Sequence, residues 1–198
     1  QFGYLKRPTT RNNSVDQAKF EVLNHKYTDL SESRYGVAIL NDSKYGISAY
    51  EGQLRLSLHK GGVRPDFNGD KGRHYCEYGF LPHNCGFSAD SVTQPSYAFN
   101  YKPIVVSGAR EMASLIGVDC SNVIVETIKP CEDSARAFIV RLYEAEGART
   151  IANVRLGFSP KAVEETNMLE ERVCELPASA DIRLTFRPFE IKTVKVSY

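Results

Sequence analysis

Along most of this chain apolar and polar side chains alternate with a period of two. Leu54, Leu56 and Leu58 alternate with Arg55 and Ser57, and Val37 and Ile39 share a phase that Tyr35 can join. Further on, His74, Cys76, Tyr78 and Phe80 fall on one side of an extended segment, with Tyr75, Glu77 and Gly79 on the other. This is the pattern of half-buried strands in antiparallel sheets. Upstream, residues 18–23 read as a strand and residues 29–33 as a polar turn, while 41–46 supply the Asn, Asp and Gly of a tight turn between two strands. The glycines and proline of 61–70 predict a long loop, and 85–102 reads as irregular, aromatic-rich and partly helical.

The reading changes around Arg110 to Ala113, where a boundary is placed between a region 1–112 and a region 113–198. Beyond it, strands are predicted over 123–128, 137–143, 150–156, 182–186 and 189–196, separated by turns such as Lys129-Pro130, Glu146-Gly147 and Ser159-Pro160. Only 161–171 has helical character. Strands so closely spaced, without helices between them, predict an all-β fold with a small sandwich at the end. Phe189 and Ile191 share one phase and Val194 and Val196 the other, so the strand closing this sandwich is expected to carry a bulge near Lys192.

Composition narrows the function. The 198 residues can bury a sizeable core, and 25 basic against 24 acidic side chains give no field to gather nucleic acid or an anionic membrane. The five cysteines, at 76, 85, 120, 131 and 174, include no Cys-x-x-Cys pair, which favours reduced thiols and a cytoplasmic setting. Two glycosylation sequons, Asn12-Asn-Ser14 and Asn41-Asp-Ser43, would matter only in a secreted protein. There is no membrane-length apolar run and no signal-peptide pattern. The chain opens in mid-pattern without a Met, as a piece of a longer protein would.

Candidate chemistry is sparse. His74-x-Cys76 and His83-x-Cys85 could in principle close a tetrahedral metal site, but their spacing is not that of a structural zinc module, and half-buried strand residues explain them as well. The carboxylate pairs Asp66 and Asp70, Glu132 and Asp133, Glu144 and Glu146, Glu164 and Glu165, and Glu170 and Glu171 all fall in polar loops or strand ends, where solvated carboxylates are expected. No nucleophile elbow, phosphate loop or dinucleotide fingerprint occurs. Tyr45, Tyr50, Tyr97 and Tyr101 lie in turn-like positions from which a ring could stack on a sugar.

Several motifs together carry a resemblance. They are Leu40-Asn-Asp-Ser-Lys-Tyr-Gly46, Leu54-Arg-Leu-Ser-Leu58, Arg64-Pro-Asp66, Gly72-Arg-His74 and Leu81-Pro-His83, flanked by Gln1-Phe-Gly-Tyr-Leu-Lys-Arg-Pro-Thr9 and Arg187-Pro-Phe-Glu-Ile-Lys-Thr193. The chain resembles the C-terminal β-domain of family 38 α-mannosidases, in their cytosolic and bacterial branch. The resemblance implies that 1–112 is the C-terminal part of a large, supersandwich-like, galactose-mutarotase-like antiparallel β-sandwich and that 113–198 is a smaller C-terminal β-sandwich. It also implies a parent enzyme that hydrolyses terminal α-mannosides, with its zinc and nucleophile in an N-terminal catalytic domain. This segment, which has no His-x-Asp pair, is then expected to hold no cofactor and to be inactive alone. Its expected partners are that catalytic domain and mannose-containing glycans, with homo-oligomerisation left open. In the family a basic residue after the Leu-Ser-Leu run lies near the sugar; here that position is Lys60 rather than arginine, with Arg64 four residues on. An autonomous carbohydrate-binding or interaction module is the alternative.

Overall fold

In a computed structural model, which describes residues 2–108 and 114–198, the period-two pattern resolves into strands of four antiparallel sheets. They belong to two units, one of Leu5–Ile104 and one of Gln1–Tyr4 with Val105–Tyr198. The boundary expected at Arg110 to Ala113 lies outside the described residues.

The first unit opens with a short helix α1 (Ser14–Ala18), capped by the Asn13 side chain accepting from Asp16 N at 2.9 Å. Strands follow: β1 (Val22–Leu23), β2 (Tyr27–Ser31), β3 (Tyr35–Asn41), β4 (Gly46–Tyr50), β5 (Gln53–Ser57) and β6 (Tyr78–Asn84). The strand expected over 18–23 is therefore mostly helix and loop, because the Asn13 cap and Asp16 favour a helical start. The polar turn expected at 29–33 begins as strand, since β2 pairs with β3 from Tyr27↔Leu40 to Ser31↔Gly36. The third extended segment starts at Tyr78 rather than near His74.

These strands form two sheets, β1-β4-β5 and β2-β3-β6, so the turn at 41–46 carries the chain between sheets instead of closing a hairpin. On β3 the buried phase is Gly36, Ala38 and Leu40, while Val37 and Ile39 are half-buried. Against the buried phase packs a π-helical turn, Ala89–Thr93, continued by α2 (Gln94–Asn100). Ala38, Leu40 and Val92 make this small core, ringed by Tyr27, Leu81, Phe87 and Phe99. Ser88 starts the helical segment through a reciprocal cap with Ser91.

The second unit holds β7 (Ile116–Val118), β8 (Val123–Pro130), β9 (Ala137–Glu144), β10 (Thr150–Leu156), β11 (Ala162–Thr166), β12 (Arg172–Leu176), β13 (Asp181–Phe186) and β14 (Ile191–Ser197). A sheet ordered β13-β10-β7 packs with one ordered β12-β11-β14-β9-β8. Ala152, Val154 and Leu156 of β10 and Ile182, Leu184 and Phe186 of β13 alternate inward to meet Val140, Leu142, Val194 and Val196. Each Val, Leu, Ile or Phe side chain of this set taken out of water stabilises the fold by about 1.5–3 kcal/mol.

Two expectations are corrected here. The segment with helical character at 161–171 is the hairpin β11–β12, because Val163 and Thr166 point inward and the strand is sandwiched by pairing with β14. The strand β14, expected to close the sandwich, lies between β11 and β9. Its register runs unbroken from Ile191↔Tyr143 to Ser197↔Ala137, so there is no bulge near Lys192. The phase change occurs instead at Phe189, whose φ of 57° places it in the turn before the strand. Bulges do occur between Val125 and Thr127 and between Glu165 and Thr166.

Candidate functional site

A cleft of about 350 Å³ opens beside the β1-β4-β5 sheet, lined by Glu21, Ser43 to Gly46, Ser57 to Lys60, Asp70 and His74. Its walls are set by buried polar chemistry upstream. Asn41, only 2% exposed, donates from Nδ2 to Asn24 Oδ1 at 2.9 Å and to the His25 carbonyl at 2.6 Å, and accepts from Lys44 N at 2.7 Å. That network fixes the 41–46 turn, and with it Ser43, Lys44 and Tyr45, at the rim. It also removes Asn41 as a glycosylation acceptor.

On the opposite wall Glu21 lies across Gly46, where a Cβ would come within 2.6 Å of the carboxylate, so a side chain there would displace the end of Glu21. The Ser57 hydroxyl donates to Glu21, and Lys60 Nζ stands 3.6 Å from its other oxygen. The Ser57 hydrogen bond, helped by the Lys60 charge, outweighs the slight burial and holds the Glu21 carboxyl below its ordinary range. Deeper along the 58–74 loop the rings of His59 and His74 lie 4.7 Å apart, and His74 Nε2 is 2.7 Å from the Asp70 carbonyl oxygen.

The structure thus brings Lys60 into the cleft with its side chain 80% exposed. Arg64 is exposed too but is not part of the lining. Glu21, Tyr45 and His59 join Lys60 there, and of these only Tyr45 carried a legible signal. Glu21 comes from a segment read as plain strand, and its approach to Ser57 and Lys60 depends on the pairing of β1, β4 and β5.

Of the four tyrosines offered for sugar stacking, Tyr45 lines the cleft, edge-on to His25 at 5.4 Å. Arg11 lies over Tyr50 at 4.2 Å, while Tyr97 is flanked by Lys26 at 4.7 Å and by the parallel ring of Tyr101.

The carboxylate pairs divide differently from expectation. Glu144 is fully buried, not solvated, and accepts five hydrogen bonds. Glu146 N (2.9 Å) and Asn122 Nδ2 (3.0 Å) reach one oxygen, while Gly147 N (2.7 Å), Ala148 N (3.0 Å) and Phe189 N (3.0 Å) reach the other. Burial pushes its pKa up, but these donors together pull it below the usual range. Glu170 is also buried; the Lys129 ammonium at 2.5 Å and Glu132 N at 2.9 Å lower its pKa to about 2. Both are structural anchors of loops. Among the described residues, every carboxyl whose pKa is displaced is displaced downward.

The candidate metal residues do not converge. His83 pairs with Asp29 at 2.8 Å beneath β3, over Gly36, whereas His74 stays with His59 and Asp70. Among the described residues no three His, Cys, Asp or Glu side chains come together to hold a metal ion. All five cysteines carry free thiols, and no described helix is long and apolar enough to cross a membrane.

Comparison with known proteins bears on this arrangement. Residues 1–68 match the glycosyl hydrolases family 38 C-terminal domain, and residues 122–194 match the family 38 C-terminal beta sandwich domain. The chain is 38% identical over 98% of its length to alpha-mannosidase G of Dictyostelium discoideum, 35% identical over 100% to the alpha-mannosidase of Saccharomyces cerevisiae, and 36% identical over 96% to human alpha-mannosidase 2C1. It spans 19%, 21% and 19% of those relatives. An alpha-mannosidase from Enterococcus faecalis V583 shares the fold, with a TM-score of 0.73 at 18% identity, over 98% of this chain and 23% of that one. The two domain models take in both units, and the three relatives align with nearly every residue between, so the chain belongs to glycosyl hydrolase family 38, as part of its C-terminal β-region.

Proposed function

We propose that this chain is the non-catalytic C-terminal β-region of a cytoplasmic α-mannosidase acting on terminal α-mannosides, that it braces the catalytic domain, and that its 58–74 loop shapes the sugar site. The supporting observation is the contrast at the cleft. An exposed ammonium, that of Lys60, stands among hydroxyl, imidazole and carboxylate groups, yet Glu21, the carboxyl it faces, is held below its ordinary range and not raised toward proton donation. Glycoside hydrolysis with a retained or inverted product needs one carboxyl raised toward neutrality and a second facing it across the sugar. This cleft offers polar contacts to a hydroxylated ligand without that pair. The metal and nucleophile of the parent enzyme then belong to the catalytic domain, and the free thiols suit a reducing compartment.

Lysine supplies a point charge where arginine would supply a planar fork, so its contact is a single charged hydrogen bond. Replacing Lys60 by Ala in the full-length enzyme is expected to lower kcat/KM by about 1–3 kcal/mol in transition-state terms. Arg64→Ala, outside the cleft, is the control. Unaltered kinetics for Lys60→Ala would refute the assignment, and a loss confined to Arg64→Ala would move the contact there.

A further inference from the structure

One wall of the cleft carries an acceptor that the role of Lys60 leaves unused. Glu21 immediately precedes β1, outside the 58–74 loop, and its two carboxylate oxygens are differently engaged. Oε1 lies over Gly46 and accepts from the Ser57 hydroxyl, which holds that end of the carboxylate in place. Oε2 faces Lys60 Nζ at 3.6 Å, beyond the length of a hydrogen bond, so the lysine does not take up its lone pairs. Both groups are open to solvent, the Glu21 side chain being 26% and that of Lys60 80% exposed. With its pKa held down, Glu21 is an anion at neutral pH and can only accept.

A ligand entering here therefore meets one charged acceptor and one charged donor side by side. A carboxylate or phosphate would be attracted by Lys60 and repelled by Glu21, and an ammonium group would meet the reverse. A neutral ligand fits when one of its atoms gives a proton and the next receives one, and neighbouring hydroxyls do both. Hydrogen bonds of about 2.7–3.0 Å, one from Lys60 to a hydroxyl oxygen and one from the adjacent hydroxyl to Glu21 Oε2, close a four-cornered ring whose fourth side is the 3.6 Å gap. Neither end has to move. A lone hydroxyl would leave one of the two charges unmet. Tyr45, in the same lining and 53% exposed, presents a ring against which the C–H face of a pyranose can lie.

We propose that Glu21 and Lys60 jointly hold a vicinal diol of the bound glycan, Lys60 donating to one hydroxyl and Glu21 accepting from its neighbour. This pairing rests on the reading of Lys60 as a sugar contact. It adds a second binding residue, from a different segment, and a chemical requirement on the substrate: two adjacent free hydroxyls.

The test is kcat/KM of the full-length enzyme on a methyl α-mannobioside and its set of monodeoxy analogues, for the unaltered protein, Glu21→Gln and Lys60→Ala. Glutamine can still accept from the Ser57 hydroxyl while removing the charged acceptor. Glu21→Gln is expected to lose about tenfold on the intact glycoside, as a site built to bond a hydroxyl does when the bond is broken. On one analogue Glu21→Gln should lose nothing further, and on the analogue lacking the neighbouring hydroxyl Lys60→Ala should lose nothing further, the mark of a contact already removed. Should glutamine unsettle the fold, read as a lowered Tm, Glu21→Asp keeps the charge, withdraws it by one methylene and is expected to show the same coupling. Equal losses from Glu21→Gln on every analogue would overturn the proposal, because the residue would then act on the fold and not on a hydroxyl. Coupling of the two residues to hydroxyls that are not adjacent would overturn it as well. If Lys60→Ala is coupled to a hydroxyl and Glu21→Gln to none, the shared diol falls while the reading of Lys60 stands. Without a hydroxyl coupled to Lys60, both fall together.

Discussion

The two units use the same alternation and close it to different degrees. In the C-terminal unit, Leu142, Val154, Leu184, Phe186 and Val196 from facing sheets bury one another, and β10 and β13 alternate cleanly inward. In the Leu5–Ile104 unit the buried cluster against β2-β3-β6 is Ala38, Leu40 and Val92, while Phe80, Tyr78 and Tyr35 on the same sheet are exposed. The difference is one of burial: the facing sheets of the C-terminal unit cover each other's apolar side chains, whereas β2-β3-β6 leaves Phe80, Tyr78 and Tyr35 exposed on one face. The C-terminal unit therefore draws more of its stability from apolar burial within the chain.

The comparison is broken most severely by removing residues 187–198. Because β14 lies between β11 and β9, its loss splits the five-stranded sheet and opens Val140, Val163 and Leu142 to water. The C-terminal unit of the truncated chain is expected to give no cooperative thermal transition and no slowly exchanging amides in β8 to β13. A soluble truncation that melts cooperatively would show that β14 is dispensable.

Next in size is Glu144→Leu. Four backbone N–H groups and the Asn122 amide would lose their acceptor in a buried site, and the loops at 146–148 and 187–190 would lose the group that holds them together. A loss of about 4 kcal/mol is expected in urea denaturation, confined to the C-terminal unit. The same loops carry a further contact. Phe189 packs on Gly3, where a Cβ would lie 2.8 Å from its ring, and Tyr4 meets Phe189 edge-on at 5.6 Å. Leu substitution at Glu144 should therefore also loosen residues 2–4, measurable as faster amide exchange there.

How much of this was legible beforehand follows the same division. The strands with one clean inward phase, such as β10 and β13, were read within a residue or two, because burial of a single face imposes the period. The segments misread were those whose outcome depends on a distant partner. Residues 161–171 look helical locally but become strand because β14 pairs with them, and the phase change at Ile191 looks like a bulge until Phe189 is seen to adopt a positive φ. Glu144 was taken for a solvated carboxylate because its five donors come from three separate loops. The Lys60 position was legible from its motif, whereas Glu21 and His59 beside it emerge only from sheet pairing and the path of the loop.

Acid sharpens the comparison further. Glu170 has its pKa lowered from 4.5 to about 2 in the folded protein, chiefly by Lys129. The folded state therefore binds that proton less readily than the unfolded state. The stability it contributes is complete above pH 4.5 and is lost as pH falls toward 2, and Glu144 acts in the same direction. The urea midpoint of the C-terminal unit should fall through this window, and Lys129→Met should start lower and fall less. A midpoint independent of pH there would mean that neither carboxylate is anchored as described.

The smallest effect expected is that of Lys60→Ala on stability, and its smallness is what gives the kinetic test its meaning. Lys60 reaches Glu21 at 3.6 Å with most of its side chain in water, and Glu21 remains held by the Ser57 hydroxyl when the ammonium is gone. An exposed pair of this kind contributes little, because solvent screening and side-chain entropy offset the attraction. The Tm of the variant should stay within about one degree of the parent. Ser57→Ala removes the leading cause of the lowered Glu21 pKa and should shift that carboxyl upward in an NMR titration, which Lys60→Ala should do less. If instead Lys60→Ala lowered the Tm by several degrees, the lysine would be a structural tie of the 58–74 loop, and any loss of turnover in the full-length enzyme would report a displaced loop instead of a missing contact to the sugar.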